Sequence, residues 1–162
     1  MKRKNETKFE RTSPRVLVMV RTFGARASVV FDAWTKPELL KRWWAPCKMG
    51  VKLFECDVDL RVGGAWRYVF GREGEPTVAF SGVYKEVVRP TRLVHTQVFE
   101  PMRQAGDAIV TATFDEKDGQ TTLTLQQLYP SKEALDGAIA SGMEHGARET
   151  MEQLEELVSG GS

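Results

Sequence analysis

The stretch Ser131-Lys132-Glu133-Ala134-Leu135-Asp136-Gly137-Ala138-Ile139-Ala140-Ser141-Gly142-Met143-Glu144-His145-Gly146-Ala147-Arg148-Glu149-Thr150-Met151-Glu152-Gln153-Leu154-Glu155-Glu156-Leu157-Val158 decides the fold of this 162-residue chain. Leu135, Ile139, Met143, Met151, Leu154 and Val158 recur at helical spacing, which predicts one long amphipathic helix after Pro130. Ser131 suits the N-cap, and Glu133 with Asp136 sets negative charge at the positive end of the helix. Ala138, Gly142, Gly146 and Ala147 lie along the same side. A glycine costs a helix about 1 kcal/mol relative to alanine, so two on one face need a reason. Either the helix lies very close to a sheet there, or it leaves volume for something else.

Upstream of this helix the pattern is different. Val16 to Phe23 is rich in β-formers and reads as a strand that Gly24 ends. Val29, Val30, Ala33 and Trp34 then fall on one helical face, and Pro37 opens a second short helix through Trp44, with Thr35 as its expected N-cap. Six strands follow, divided by turn residues: Val51–Val58, Trp66–Phe70, Thr77–Val88, Leu93–Phe99, Ala108–Phe114 and Thr121–Tyr129. Asp118-Gly119 is a strong hairpin signal between the last two. The order of one strand, two short helices, six strands and a long helix is α+β. One antiparallel sheet is expected to curl round the C-terminal helix.

Composition bounds the function. The chain is 41% hydrophobic and 28% charged, with 23 Lys plus Arg against 22 Asp plus Glu, an ordinary globular balance that gives no general reason to expect nucleic-acid binding. Its aliphatic run Val16-Leu17-Val18-Met19-Val20 is too short to span a bilayer. The two cysteines, Cys47 and Cys56, do not form a disulfide framework, so a cytoplasmic single domain is expected. Residues 1–15 carry six basic side chains against two acidic ones, and residues 131–162 carry seven acidic against two basic. Residues 1–14 therefore read as a flexible basic arm, 15–158 as the domain, and 159–162 as a flexible tail.

Chemistry-bearing residues gather on strand faces. Trp66, Tyr68 and Phe70 alternate on one side of a strand, and Phe80 and Tyr84 share a face of the next. With Trp34, Trp43, Met143 and Met151 they are candidate cavity-lining residues, although the same spacing also suits a filled core. His95 and Gln97 alternate with Leu93, and Gln127 and Tyr129 alternate with Leu123 and Leu125, placing polar groups where they would orient a ligand if those faces point inward. Cysteine and histidine spacings match no metal motif, and no Gly-rich phosphate loop or catalytic triad occurs. No metal, cofactor or catalytic residue is assigned.

Several segments carry a resemblance. Ala33-Trp34-Thr35-Lys36-Pro37-Glu38-Leu39-Leu40-Lys41-Arg42-Trp43-Trp44-Ala45-Pro46 resembles a signature of the SRPBCC (START/Bet v-like) proteins. The branch is the one similar to the C-terminal domain of the activator of Hsp90 ATPase. Asp59–Trp66, Phe80–Tyr84, Pro90–Val94 and Ser141–Gly146 match it in order. The resemblance implies a helix-grip fold, a sheet wrapped round the long helix and enclosing an apolar cavity. Ala147 departs from it, standing where the branch often has Trp, and this smaller side chain should enlarge the cavity.

On that basis the leading expectation is a protein that binds a small apolar, aromatic or lipid-like molecule between sheet and helix. The residues expected to line the site are Trp34, Trp43, Trp66, Tyr68, Phe80, Tyr84, His95, Gln97, Gln127, Met143, Ala147 and Met151. Two alternatives stand beside it. One is a cyclase- or aromatase-like enzyme using the same cavity, with His95 and Tyr84 as acid–base groups and Arg67 or Arg92 as charge anchor. The other is a chaperone-interaction module tied to stress response. The missing paired carboxylates favour binding over catalysis. The resemblance also admits a homodimer.

Overall fold

The computed structural model describes residues 6–159. Its strands are β1 (Lys8–Ser13), β2 (Val16–Phe23), β3 (Val51–Val58), β4 (Ala65–Arg72), β5 (Val78–Val88), β6 (Arg92–Phe99), β7 (Ala108–Lys117) and β8 (Gln120–Leu128). They form one antiparallel sheet in the order β1-β2-β8-β7-β6-β5-β4-β3. Helices α1 (Ala27–Thr35) and α2 (Pro37–Trp43) follow β2, and α3 (Lys132–Ala140) and α4 (Met143–Ser159) follow β8. This is the expected α+β architecture, a curved sheet gripping a C-terminal helix.

Alternation in the strands sets the concave face. In β2, Leu17, Met19, Arg21 and Phe23 are buried while their neighbours are half-buried. Cross-strand pairing carries that face along the sheet: Leu17 pairs with Gln127, Gln127 with Val110, Val110 with His95 and His95 with Tyr84. The core sits between this face and the helices. Phe31 and Phe114 meet edge to face at 5.3 Å within it.

Four expectations need correction. The basic arm is structured from Lys8 onward: β1 pairs with β2, Phe9 opposite Met19. Thr7 is buried and Phe9 half-buried while Lys8 and Glu10 are exposed, and the flanking charges masked that alternation. Residues 1–5 of the arm lie outside the described residues, as do 160–162 of the tail. Ser159 is not a tail residue, since it ends α4 and its hydroxyl donates to Glu155 Oε2 at 2.6 Å. The long helix is broken at Ser141-Gly142, where Gly142 takes φ +87°, a left-handed conformation that glycine adopts without a Cβ penalty. Finally, α2 starts after Lys36, not Thr35; the Thr35 hydroxyl instead donates to the Phe31 carbonyl at the end of α1. Ser131 does cap α3, accepting from the Ala134 amide at 3.0 Å.

Candidate functional site

One end of the sheet gathers the end of β4, the start of β5, the end of β6, the start of β7 and the end of β8. The N-terminus of α4 reaches this end, because the Tyr129 hydroxyl just beyond β8 contacts Met143 Sδ at 3.7 Å. Gln153 fastens the helix further along, donating from Nε2 to the Trp43 and Ala45 carbonyls at 2.8 Å and accepting the Cys47 amide at 3.1 Å. The α2 terminus is thereby held against α4, which places Trp44 beside the sheet.

Trp44 meets Tyr68 at 5.2 Å and Phe70 at 5.1 Å between ring centroids, both edge to face. Phe70 stacks on Phe80 at 5.4 Å, and Phe80 meets Phe99 at 5.1 Å. Trp44, Phe70, Phe80 and Phe99 are all only half-buried, a row of accessible rings on the concave side. Gln97, Tyr129, Met143 and Ala147 are half-buried as well. Gly146 lies between Met143 and Thr150 on the flank of the buried helix face, and a Cβ there would meet nothing within 4 Å. No neighbour packs against Gly146, so this glycine does not mark a close approach to the sheet.

Deeper, Trp66, Tyr68, Tyr84 and His95 pack together. Trp66 lies 4.7 Å from Tyr68 and 5.0 Å from His95, and Tyr84 lies 6.0 Å from His95, as ring centroids. Burial pushes the Tyr68 and Tyr84 phenols above their ordinary range. Burial lowers the His95 pKa, a hydrogen bond with the Thr96 carbonyl opposing it, so the imidazole is neutral near pH 7. Burial also pushes the Cys56 thiol up to about 11, which makes it a poor nucleophile. The Tyr129 hydroxyl donates to Gln127 Oε1 at 2.8 Å, and burial raises this phenol to about 12.

The structure thus brings Trp66, Tyr68, Tyr84 and His95 together, with Phe80 and Gln97 toward the accessible end and Gln127 tied through Tyr129 to Met143. Ala147 follows Met143 by one turn of α4. Trp34 and Trp43 belong to a different group: they lie 4.8 Å apart, Trp34 meets Phe114, and Trp43 Nε1 donates to the Ala33 carbonyl at 2.8 Å. Met151 is buried in the core. Sequence reasoning passed over Trp44 and Phe99. Phe99 shares parity with Leu93, His95 and Gln97, a signal that was available, whereas only one of two adjacent tryptophans fits a helical face and Trp44 follows the other.

The convex side of the same strands carries a groove of about 410 Å³ lined by Asp57, Arg67, Ser81, Glu100 and Asp107 among others. Arg67 and Glu100 form a paired bridge inside it, Nε to Oε2 and Nη2 to Oε1, each at 2.9 Å. Among the described residues no cluster of three or more His, Cys, Asp or Glu side chains is suited to a metal ion. No helix among them is long and apolar enough to cross a membrane.

A curved antiparallel sheet closed over a C-terminal helix, with two short helices after β2, defines a helix-grip protein of the SRPBCC class. Residues 24–159 match the sequence model of the family described as Activator of Hsp90 ATPase homolog 1-like protein, and the chain belongs to that family. Solved structures agree. A protein from Rhodobacter sphaeroides is 26% identical, with a TM-score of 0.87, over 96% of this chain and 99% of its own. Protein NE0264 from Nitrosomonas europaea is 25% identical, with a TM-score of 0.79, over 91% of this chain and 96% of its own. CalU16 from Micromonospora echinospora, 24% identical over 99% of this chain and 78% of its own with a TM-score of 0.65, shares the fold. No curated protein matches the sequence.

Proposed function

We propose that the protein binds a small apolar or aromatic molecule between the concave face of the sheet and the N-terminal half of α4. The observation that carries this reading is the row of half-buried rings Trp44, Phe70, Phe80 and Phe99. Rings that pack only to fill a core are normally covered, and a contiguous accessible group of four favours an occupant. The unfilled space beside Gly146 and the small Ala147 side chain support the same reading. Membership of a family whose fold suits ligand binding agrees with it, but fold alone does not assign a ligand.

Magnitudes set the expected strength. A ligand covering roughly 300 Å² of apolar surface gains about 7 kcal/mol at ~25 cal/mol/Å². Association costs at least about 4 kcal/mol, so a micromolar ligand needs help from the polar groups. We place the protein in the cytoplasm as part of this proposal, since both cysteines are free and suit a reducing compartment. Binding without turnover is preferred, as the tyrosines and the half-buried Cys56 thiol are held protonated.

The test is native mass spectrometry of freshly purified protein, followed by denaturing extraction and titration with a library of aromatic and lipid-like compounds. A bound species of a few hundred daltons is expected, or a compound whose micromolar binding quenches Trp44 and is weakened about tenfold in Phe80→Ala. The same spectrum reports monomer or homodimer. If no compound binds, or if binding is unchanged in Phe80→Ala and Trp44→Ala, the concave face is not the ligand site.

A further inference from the structure

The β5–β6 ladder is interrupted next to the buried cluster. Ser81 pairs with Val98 and Tyr84 with His95, but the pairing skips Gly82 and Val83. The Val83 amide donates instead to the Thr96 hydroxyl at 2.9 Å. The Thr96 carbonyl that this leaves free is taken by two side chains of the concave face: Trp66 Nε1 donates to it at 3.2 Å, and His95 Nδ1 lies 3.0 Å from it. Gly82 makes room for this arrangement, since a Cβ there would fall 1.9 Å from the Thr96 oxygen and 2.7 Å from Trp66 Nε1.

A carbonyl oxygen only accepts, so His95 Nδ1 carries a proton. In the neutral ring Nε2 is then the unprotonated nitrogen and a hydrogen-bond acceptor. With Nδ1 turned back to the backbone of the next residue, Nε2 is at the distal end of a side chain on the concave face. The ring is held there edge to face against Trp66 and Tyr84, and His95 is 7% exposed. An ordinary backbone rung has been given up and the orientation of one imidazole is set in return.

We infer that His95 is the specificity-determining residue of the concave site, held in a single tautomer to accept a hydrogen bond from a neutral aromatic ligand carrying an N–H or O–H donor. This rests on the ligand-binding reading above and names the ligand chemistry within it. The charge on this face agrees with a neutral ligand. Arg21, the buried cation of this face, already spends its guanidinium on Glu155 Oε1 at 3.3 Å and Thr7 Oγ1 at 3.0 Å. A buried acceptor left without its donor is costly, which lets one atom discriminate between ligands of equal shape.

The experiment has two parts. Nitrogen-15 NMR of the apo protein should show His95 as the neutral Nδ1–H tautomer; a proton on Nε2 overturns the inference without touching the ligand-binding reading. Calorimetric titration then compares indole, which donates through its N–H, with N-methylindole, which has the same shape and no donor. Indole should bind about tenfold more tightly, the equivalent of about 1.4 kcal/mol, and should shift the Nε2 resonance. In His95→Phe the two should bind alike. Equal affinity in the wild-type protein overturns the inference and leaves the site standing. Binding of neither probe, together with failure of the wider library, overturns both.

Discussion

Glu100 shows how far one ion pair can move a carboxylate at the surface. Its hydrogen bonds from Arg67, with help from Ser81 and Arg103, hold its carboxyl down at about 2. A carboxylate depressed in the folded state adds stability that is complete above its unfolded value and is lost as pH falls through the folded one. The window here runs from the ordinary 4.5 down to about 2. Arg67 is 49% exposed and its partner 19%, so solvent screens the pair and its contribution to stability is small. Glu100→Gln should therefore unfold at lower urea at pH 7, with the gap to wild type closing as pH approaches 2. A gap independent of pH would mean that the bridge contributes nothing through its charge. Legibility at this scale followed parity. Alternation put Trp66, Tyr68, Tyr84 and His95 on faces that the sheet brings together, while no spacing rule foretold that Trp66 and His95 share one carbonyl across Gly82. That contact depends on an interrupted rung, a three-strand feature invisible to a pattern read along one strand.

Helix α4 makes the conflict between stability and an open site explicit. Gly146 sits in its interior, and a methyl group added there meets nothing within 4 Å. Glycine in a helix interior costs about 1 kcal/mol against alanine, so Gly146→Ala should stabilise the fold by up to about that amount, read as a rise in melting temperature of about 2–4 °C. If the space beside Gly146 belongs to the ligand site, Gly146→Leu should lower affinity for the bound compound at least tenfold with little change in melting temperature. Unchanged affinity in Gly146→Leu would place the ligand elsewhere. The amphipathic stripe and the Ser131 cap were plain in the sequence, but the break was not. Leu135 and Ile139 keep a helical period with Met143 across Ser141-Gly142, so apolar periodicity alone runs straight through a two-residue interruption. Gly142 at φ +87° was the available sign, because a left-handed glycine commonly ends a helix.

For the molecule as a whole, the order of elements was legible because β2, β7 and β8 alternate cleanly and turn residues separate the strands. The N-terminal edge was missed since only Thr7 and Phe9 mark its inner side among charged neighbours. Yet those two residues help fasten the sheet to the C-terminal helix. Thr7 Oγ1 accepts from Arg21 Nη1 at 3.0 Å, the Thr7 carbonyl accepts from Arg148 of α4, and the Arg148 guanidinium lies over the Phe9 ring at 4.9 Å. Arg21 is only 2% exposed, its Nε has no partner, and its remaining bond reaches Glu155 of α4. A buried guanidinium that loses one of two partners bears an uncompensated desolvation cost. Deleting residues 1–13 also strips β1 from β2 and exposes an apolar-faced strand edge. The deletion should thus cost about 3 kcal/mol, a fall in melting temperature of about 6–12 °C, with dimers or aggregates through β2 on size-exclusion chromatography. Arg21→Met in the truncated chain should recover part of the loss, since it removes the buried charge that β1 satisfies. A truncated protein that melts with wild type and stays at its original size would show that the sheet begins, energetically, at β2.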